Sequence, residues 1–207
     1  MASMPAGIPG AVRVVEVGPR DGLQNEPGSI PVQARIELID RLADAGLEAV
    51  ESGAFVSPKW VPQMAGTAQV LSGIARRPGV HYPVLVPNMK GFEAALAHQQ
   101  ASGRPVGEIA VFSAASETFS QKNTHCSIDD GLLAFSEVTR AARAQDWRVR
   151  GYVSVAFGCP FEGRVDPARV LGVVQRLLDM GCYEVSIGDT TGVGTAGDVH
   201  RLFERLT

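Results

Sequence analysis

One pattern constrains this chain more than any other. A short apolar run is followed by a segment of helical period, six times over, with no break in composition between them. The runs read as strands at 12–17, 48–52, 82–87, 107–113, 149–157 and 183–188. Between them the spacing predicts helices over 31–45, 64–76, 90–99, 128–145 and 167–180, with a last one from about 196. In the first helix Val32, Ile36, Ile39 and Leu42 fall four and three apart and so share one face. Pro31 suits its first turn and Gly46 its left-handed stop. The fifth has the same design: Asp166-Pro167 opens it, Val170, Val174 and Leu177 line it, and Gly181 closes it. Asp44 to Glu51 and Asp179 to Ser186 repeat one motif of helix end, glycine and buried strand, as stacked β/α units would. Continuous apolar strands, each followed by a helix, mean a parallel sheet covered by helices. Six strands suit an open doubly wound sheet, because a closed barrel takes eight in roughly 250 residues. On pattern alone the open sheet is favoured.

Composition then narrows the function. With 207 residues, 45% hydrophobic and 20% charged, the chain can bury one substantial core, and residues 1–207 read as a single domain. A net charge of -3 without a basic stripe argues against nucleic acid as a partner. Any anionic ligand must be met by locally placed cations. No apolar window approaches a membrane span, and Met1 to Ala11 carries neither a secretory nor a transit signal. Cys126, Cys159 and Cys182 form no C-x-x-C spacing, which fits free thiols in a reducing compartment. The expectation is a soluble cytoplasmic protein with no membrane partner.

The chemistry concentrates where the first strand surfaces into a loop. Arg20 is a permanent cation able to clamp a carboxylate or an enolate oxygen. Asp21 is a hard oxygen ligand suited to Mg²⁺ or Mn²⁺. A bare Arg-Asp dipeptide would signify only an ion pair at a strand end. Its surroundings, Val17-Gly18-Pro19-Arg20-Asp21-Gly22-Leu23-Gln24-Asn25-Glu26, closely resemble the opening signature of the 3-hydroxy-3-methylglutaryl-CoA lyases. That family belongs to a superfamily of metal-dependent barrels that also holds the isopropylmalate and homocitrate synthases. The resemblance continues in order through Phe55 to Met64, Tyr82 to Asn88, Ala114 to Glu117 with Lys122-Asn123, Arg150 to Ser154, Gly158-Cys159-Pro160, and Gly188-Asp189-Thr190 with Gly192-Val193-Gly194.

Each of these segments follows a predicted strand, and barrel active sites are built at the carboxyl ends of strands. The resemblance therefore moves the expected fold to an α/β TIM (β/α)8-type barrel, truncated at its C-terminus to about six β/α units. It implies cleavage of a 3-hydroxy acyl-CoA to acetyl-CoA and acetoacetate in leucine breakdown, with a divalent metal as cofactor. It makes Asp21 the metal ligand and Arg20 the group that stabilises the enolate oxygen. Glu51 and Asp189 are expected to support the catalytic arginine. Gln24, Asn123, Tyr152 and Thr190 are expected at the substrate, with Lys122 and Ser154 nearby. In the family a His-x-His pair on the seventh strand and a later asparagine complete the metal site. None of His81, His98, His125 and His200 has that spacing, so all four read as surface or structural. The family's catalytic cysteine lies in a glycine-rich loop beyond position 207, and none of the three cysteines inherits its role. Pro27 stands where relatives often carry lysine, and Ala54 where a hydroxyl residue is common.

Two rival readings stand beside this one. Gly192 to Gly197 matches G-x-G-x-x-G after a strand and before a helix, the setting of a nicotinamide-dependent oxidoreductase. That fingerprint expects a ribose-binding acid about 20 residues on, where the sequence has ended. The other reading is a non-catalytic fragment that needs a completing segment, since a barrel lacking two strands exposes two sheet edges. A homodimer is compatible with either.

Overall fold

A computed structural model describes residues 10–206. Six parallel strands carry the architecture: β1 (Val15–Glu16), β2 (Ala49–Val50), β3 (Val84–Leu85), β4 (Glu108–Ala114), β5 (Arg148–Ser154) and, after a small hairpin of β6 (Gly158–Cys159) and β7 (Gly163–Arg164), β8 (Glu184–Ile187). The helices between them are α1 (Val32–Asp44), α2 (Thr67–Gly73), α3 (Met89–Ser102), α4 (Glu117–Thr124), α5 (Ile128–Arg143) and α6 (Pro167–Asp179), followed by α7 (Ala196–Phe203). β1 pairs with β2, single bridges Ala49–His81 and Ala54–Leu85 join β2 to the β3 side, and β3, β4, β5 and β8 follow in order.

Strand order decides between the two α/β architectures. A doubly wound sheet reverses direction at a switch point. Here each strand pairs with the next one along the chain and the order never reverses. That is the winding of a (β/α) barrel, six units of which are present, so the pattern-based preference for an open doubly wound sheet is corrected.

Alternation along the strands separates two environments. Ile109, Val111, Val149 and Val153 face the helices and are 0–1% exposed. They pack with Leu132, Phe135 and Val138 of α5 and Val170, Val174 and Leu177 of α6 in one core. The opposite face looks into the barrel, where the register stacks Ala110, Arg150 and Glu184 in one layer and Phe112, Tyr152 and Ser186 in the next. Helix starts are fixed locally: Asn88, Ser116, Ser127, Asp166 and Thr195 each accept an N–H of the turn they open. Pro31 sits one place earlier than expected, as the cap of α1.

Three segments depart from the sequence expectation. Ala114 to Asn123, where no helix was expected, contains α4, which has a Ser116 cap and almost no apolar period. The strand expected to run to 157 stops at Ser154, because Val155 turns into the left-handed region at φ 55°, which a β-branched residue rarely adopts. The β6–β7 hairpin follows directly. Helix 64–76 begins as a 3-10 turn, Pro62–Met64, before α2 proper.

Gly91 locks α3 against the loop after β2. A methyl group there would lie 2.5 Å from the carbonyl oxygen of Phe55. Alanine in a helix interior is normally preferred over glycine by about 1 kcal/mol. Overpacking against backbone costs about 1–3 kcal/mol and outweighs it here. Gly91→Ala is therefore expected to lower the urea midpoint; an unchanged or raised midpoint would contradict the packing described.

Candidate active site

The site is assembled by the first two strands. After β1 the chain enters a single π-helical turn, Gly18–Gly22, in which Leu23 N–H donates to Gly18 O, while Arg20 N–H and Asp21 N–H donate to Val17 O at 3.1 and 2.7 Å. Glu51 N–H donates to Glu16 O at 2.8 Å, so the residue following β2 is brought beside that turn. Arg20 Nη2 then donates to Glu51 Oε2 at 3.0 Å, and Nη1 to Asp21 Oδ1 at 2.6 Å. Tyr152, from the inner face of β5, donates its hydroxyl to the same Glu51 oxygen at 3.0 Å. The Arg20 guanidinium lies 5.6 Å from the centre of the Tyr152 ring.

Burial makes these contacts consequential. The Glu51 side chain is fully buried and that of Arg20 is 9% exposed, whereas Asp21 is 56% exposed. Burial pushes the Glu51 carboxyl above the ordinary range, against the opposing pull of Arg20 and the Tyr152 hydroxyl. Burial also pushes the Tyr152 phenol upward, and the Glu51 charge adds to that shift. Two buried atoms, Arg20 Nε and Glu51 Oε1, have no hydrogen-bond partner. The pair is thus held firmly but is not fully satisfied within the protein.

Around it opens a cavity of about 1710 Å³ at the carboxyl ends of the strands. Of the site residues expected from sequence, Arg20, Asp21, Gln24, Asn123, Tyr152, Asp189 and Thr190 line it. Glu51 lies behind Arg20. Two of the expected residues are engaged with backbone. Asp189 accepts Val193 N–H at 3.2 Å and Gly194 N–H at 2.8 Å, and Thr190 Oγ1 accepts the N–H of the strained Val155 at 2.8 Å. Lys122 points over the Phe161 ring at 4.8 Å, while Ser154 lines the cavity. Of the histidines, His125 lines the cavity mouth with its ring 6.0 Å from that of Trp60.

The dinucleotide reading fails on this geometry. The backbone N–H groups that would cradle a pyrophosphate at Gly192 to Gly197 are partly taken by the Asp189 carboxylate. The monotonic strand order also provides no switch point.

Sequence reasoning missed the layer beneath the site. Arg150 Nε donates to Glu184 Oε1 at 2.7 Å, its guanidinium lies 4.7 Å from the Tyr152 ring centre, and Arg13 pairs with Glu184 from the β1 side. The signal was present in the period-two alternation of Arg148, Arg150, Tyr152 and Ser154.

As for metal, Asp21 offers one hard oxygen donor. Among the described residues no group of three or more His, Cys, Asp or Glu side chains could hold an ion. These residues do not form a metal site by themselves.

The cysteines stand apart from the reacting groups. Cys159 is buried with its sulfur 3.0 Å from Ser116 Oγ, and Cys182 is buried with its thiol pushed up to about 11. Cys126 is half-buried on the cavity wall. A thiol reagent at pH 8 is expected to modify one cysteine per native chain, Cys126, with mass mapping as the check; rapid labelling of Cys182 would contradict its burial.

A singly wound β/α sheet with a buried arginine–carboxylate pair at its strand ends defines a protein of the (β/α)-barrel class. Within it the chain belongs to the HMGL-like family, whose profile matches residues 11–207. It is 59% identical over 199 residues to the 3-hydroxy-3-isohexenylglutaryl-CoA/hydroxy-methylglutaryl-CoA lyase of Pseudomonas aeruginosa, covering 96% of this chain and 64% of that protein. It is 57% identical over 190 residues to the mitochondrial hydroxymethylglutaryl-CoA lyase of Bos taurus, covering 92% of this chain and 57% of that protein. The crystal structure of hydroxymethylglutaryl-CoA lyase from Pseudomonas aeruginosa superposes with a TM-score of 0.88 at 59% identity, over 93% of this chain and 62% of that one. The chain thus spans roughly three-fifths of the length of the relatives it matches. Among the described residues no helix is long and apolar enough to cross a membrane.

Proposed function

We propose that the protein carrying this chain cleaves 3-hydroxy-3-methylglutaryl-CoA to acetyl-CoA and acetoacetate, with Mg²⁺ or Mn²⁺ as cofactor. The observation that carries the reading is Arg20: a nine-tenths buried guanidinium, fixed by Glu51 and facing the cavity at the strand ends. Cleavage next to a thioester leaves negative charge on the thioester oxygen. A preorganised cation in a water-poor site stabilises that charge far more than it would in bulk water. Glu51 and Tyr152 keep the guanidinium in one orientation, so little reorganisation is needed as charge develops. Asp189 and Thr190 act on the wall, holding the loop over Gly192–Gly194 and the turn at Val155. Gln24 and Asn123 supply polar contacts along the cavity for the acyl-CoA. Under this reading the protein acts in the cytoplasm on a small-molecule substrate.

The test is acetoacetate release from the acyl-CoA by protein isolated from its source cells, with and without chelator. Metal-dependent release is expected; loaded protein that releases none would overturn the proposal.

A second substrate is favoured by one further observation. One part of the cavity wall is apolar, with Val15, Val17, Ala54, Met64, Leu85 and Phe112 among its lining residues. Such a wall suits a longer hydrocarbon branch at C3, as in the isohexenyl substrate named for the Pseudomonas relative. Comparable kcat/KM for both acyl-CoAs would support this, and strict preference for the methyl compound would refute it.

A further inference from the structure

Beneath the reacting groups, polar side chains run from the floor of the barrel to its mouth. Arg13 and Arg150 clasp Glu184, Arg150 stacks on Tyr152, Tyr152 holds Glu51, and Glu51 holds Arg20, which reaches Asp21. Three guanidiniums and three carboxylates balance along the run. Barrel interiors are ordinarily filled by layers of Val, Ile and Leu. An Arg–Glu pair in that place is generally no more stabilising than the apolar residues it displaces. Stability therefore does not account for Arg150, whose side chain is 9% exposed and is the nearest cation below Tyr152.

We propose that Arg150, anchored by Glu184, is a positioning residue for the cleavage site: it fixes the Tyr152 ring, and through the phenol it fixes Glu51 and Arg20. The geometry follows from the strand. Arg150 and Tyr152 are two residues apart on β5 and so project to the same inner face. Glu184 is the register partner of Arg150 on β8, which places its carboxylate to take Nε and leave the guanidinium plane free to lie over the ring. The Tyr152 hydroxyl donates to the buried Glu51 oxygen that Arg20 also uses. Loosening the ring frees that oxygen's second ligand and with it the orientation of Arg20. Glu184 keeps Arg13 when Arg150 is lost, so the variants do not leave a bare buried carboxylate.

The role in turnover rests on the lyase reading, and the test separates the two. The protein has three tyrosines, Tyr82, Tyr152 and Tyr183, so 3-fluorotyrosine labelling gives three fluorine environments, with Tyr152 assigned by its loss in Y152F. Arg150→Lys keeps a charge for Glu184 but not the stacked plane, Arg150→Met keeps neither, and Glu184→Gln weakens the anchor alone. In all three, at native circular dichroism, the Tyr152 resonance is expected to move and broaden while Tyr82 stays fixed. In the acetoacetate assay kcat is expected to fall at least about tenfold with KM changed less than about twofold, the signature of a contact felt mainly in the transition state. Lysine should not rescue it. An unmoved Tyr152 resonance in Arg150→Met, or full turnover in the lysine variant, would overturn the proposal. Resonance changes in the variants together with no turnover by the wild-type protein would sink the lyase reading and support the fixing of Tyr152 by Arg150.

Discussion

Arg20→Gln is expected to lower turnover of the acyl-CoA by about a thousandfold, near the upper range for removing one preorganised oxyanion donor. The effect is large because the guanidinium does two things that no neutral amide can. It carries full charge into a site where its own side chain is 9% exposed, and it spans Glu51 and Asp21 with separate nitrogens. Burial alone would depress its proton affinity, but Glu51 and Asp21 more than offset this and hold the group charged. Glutamine keeps hydrogen-bonding capacity and roughly the right reach, so a loss of that size would report the charge. Arg20→Lys is the discriminating control. Lysine is a point charge without the planar fork. It is expected to restore most of the thermal stability lost in the glutamine variant while recovering little of kcat. Lysine with wild-type kcat would mean that charge alone suffices and that the fork geometry is incidental.

How much of this was legible in the sequence differs from element to element. Continuous apolar strands such as 82–87 and 107–113 announce themselves, because both faces of a parallel strand are covered. The direction of winding does not, since the pairing of β2 with β1 and the bridge from Ala49 to His81 are tertiary facts with no local signature. The short α4 escaped because Phe119 is its sole large apolar residue and its start is set by the Ser116 hydroxyl. The end of β5 escaped because a valine at φ 55° is against local preference and is held there by Thr190 from another strand end. At the site, the Arg20-Asp21 turn was readable as a motif, and Glu51 from its place at a strand end. Arg150 and Glu184 meet only through the β5–β8 register, which separates them by 34 residues in sequence. Asp189 was expected near the arginine. It lines the same cavity, and its carboxylate accepts two N–H groups of the following glycine-rich loop, a local bond that short polar side chains often make.

Glu51→Ala is expected to cost about 3–5 kcal/mol of folding stability, more than any surface change in the chain, because it strands a buried cation. Arg20 would keep only Asp21, which is 56% exposed, and the Tyr152 hydroxyl would lose its acceptor. The double variant R20M/E51L tests the cause. If the loss reflects an uncompensated charge, removing both charges abolishes both desolvation penalties, and the double variant should be more stable than either single charge removal. The coupling between the two sites would then be large, of order 2–3 kcal/mol, as expected for groups in direct contact. That same double variant should release no acetoacetate, since it lacks the group that meets the developing charge. Urea unfolding of Glu51→Leu, Arg20→Met and the double variant at pH 7 gives the comparison. Additive losses would mean that the pair is held by its surroundings rather than by mutual attraction. Recovery of stability without activity would show that this buried pair persists in the fold for what it does at the strand ends, at a cost in stability that an apolar pair of similar volume would not carry.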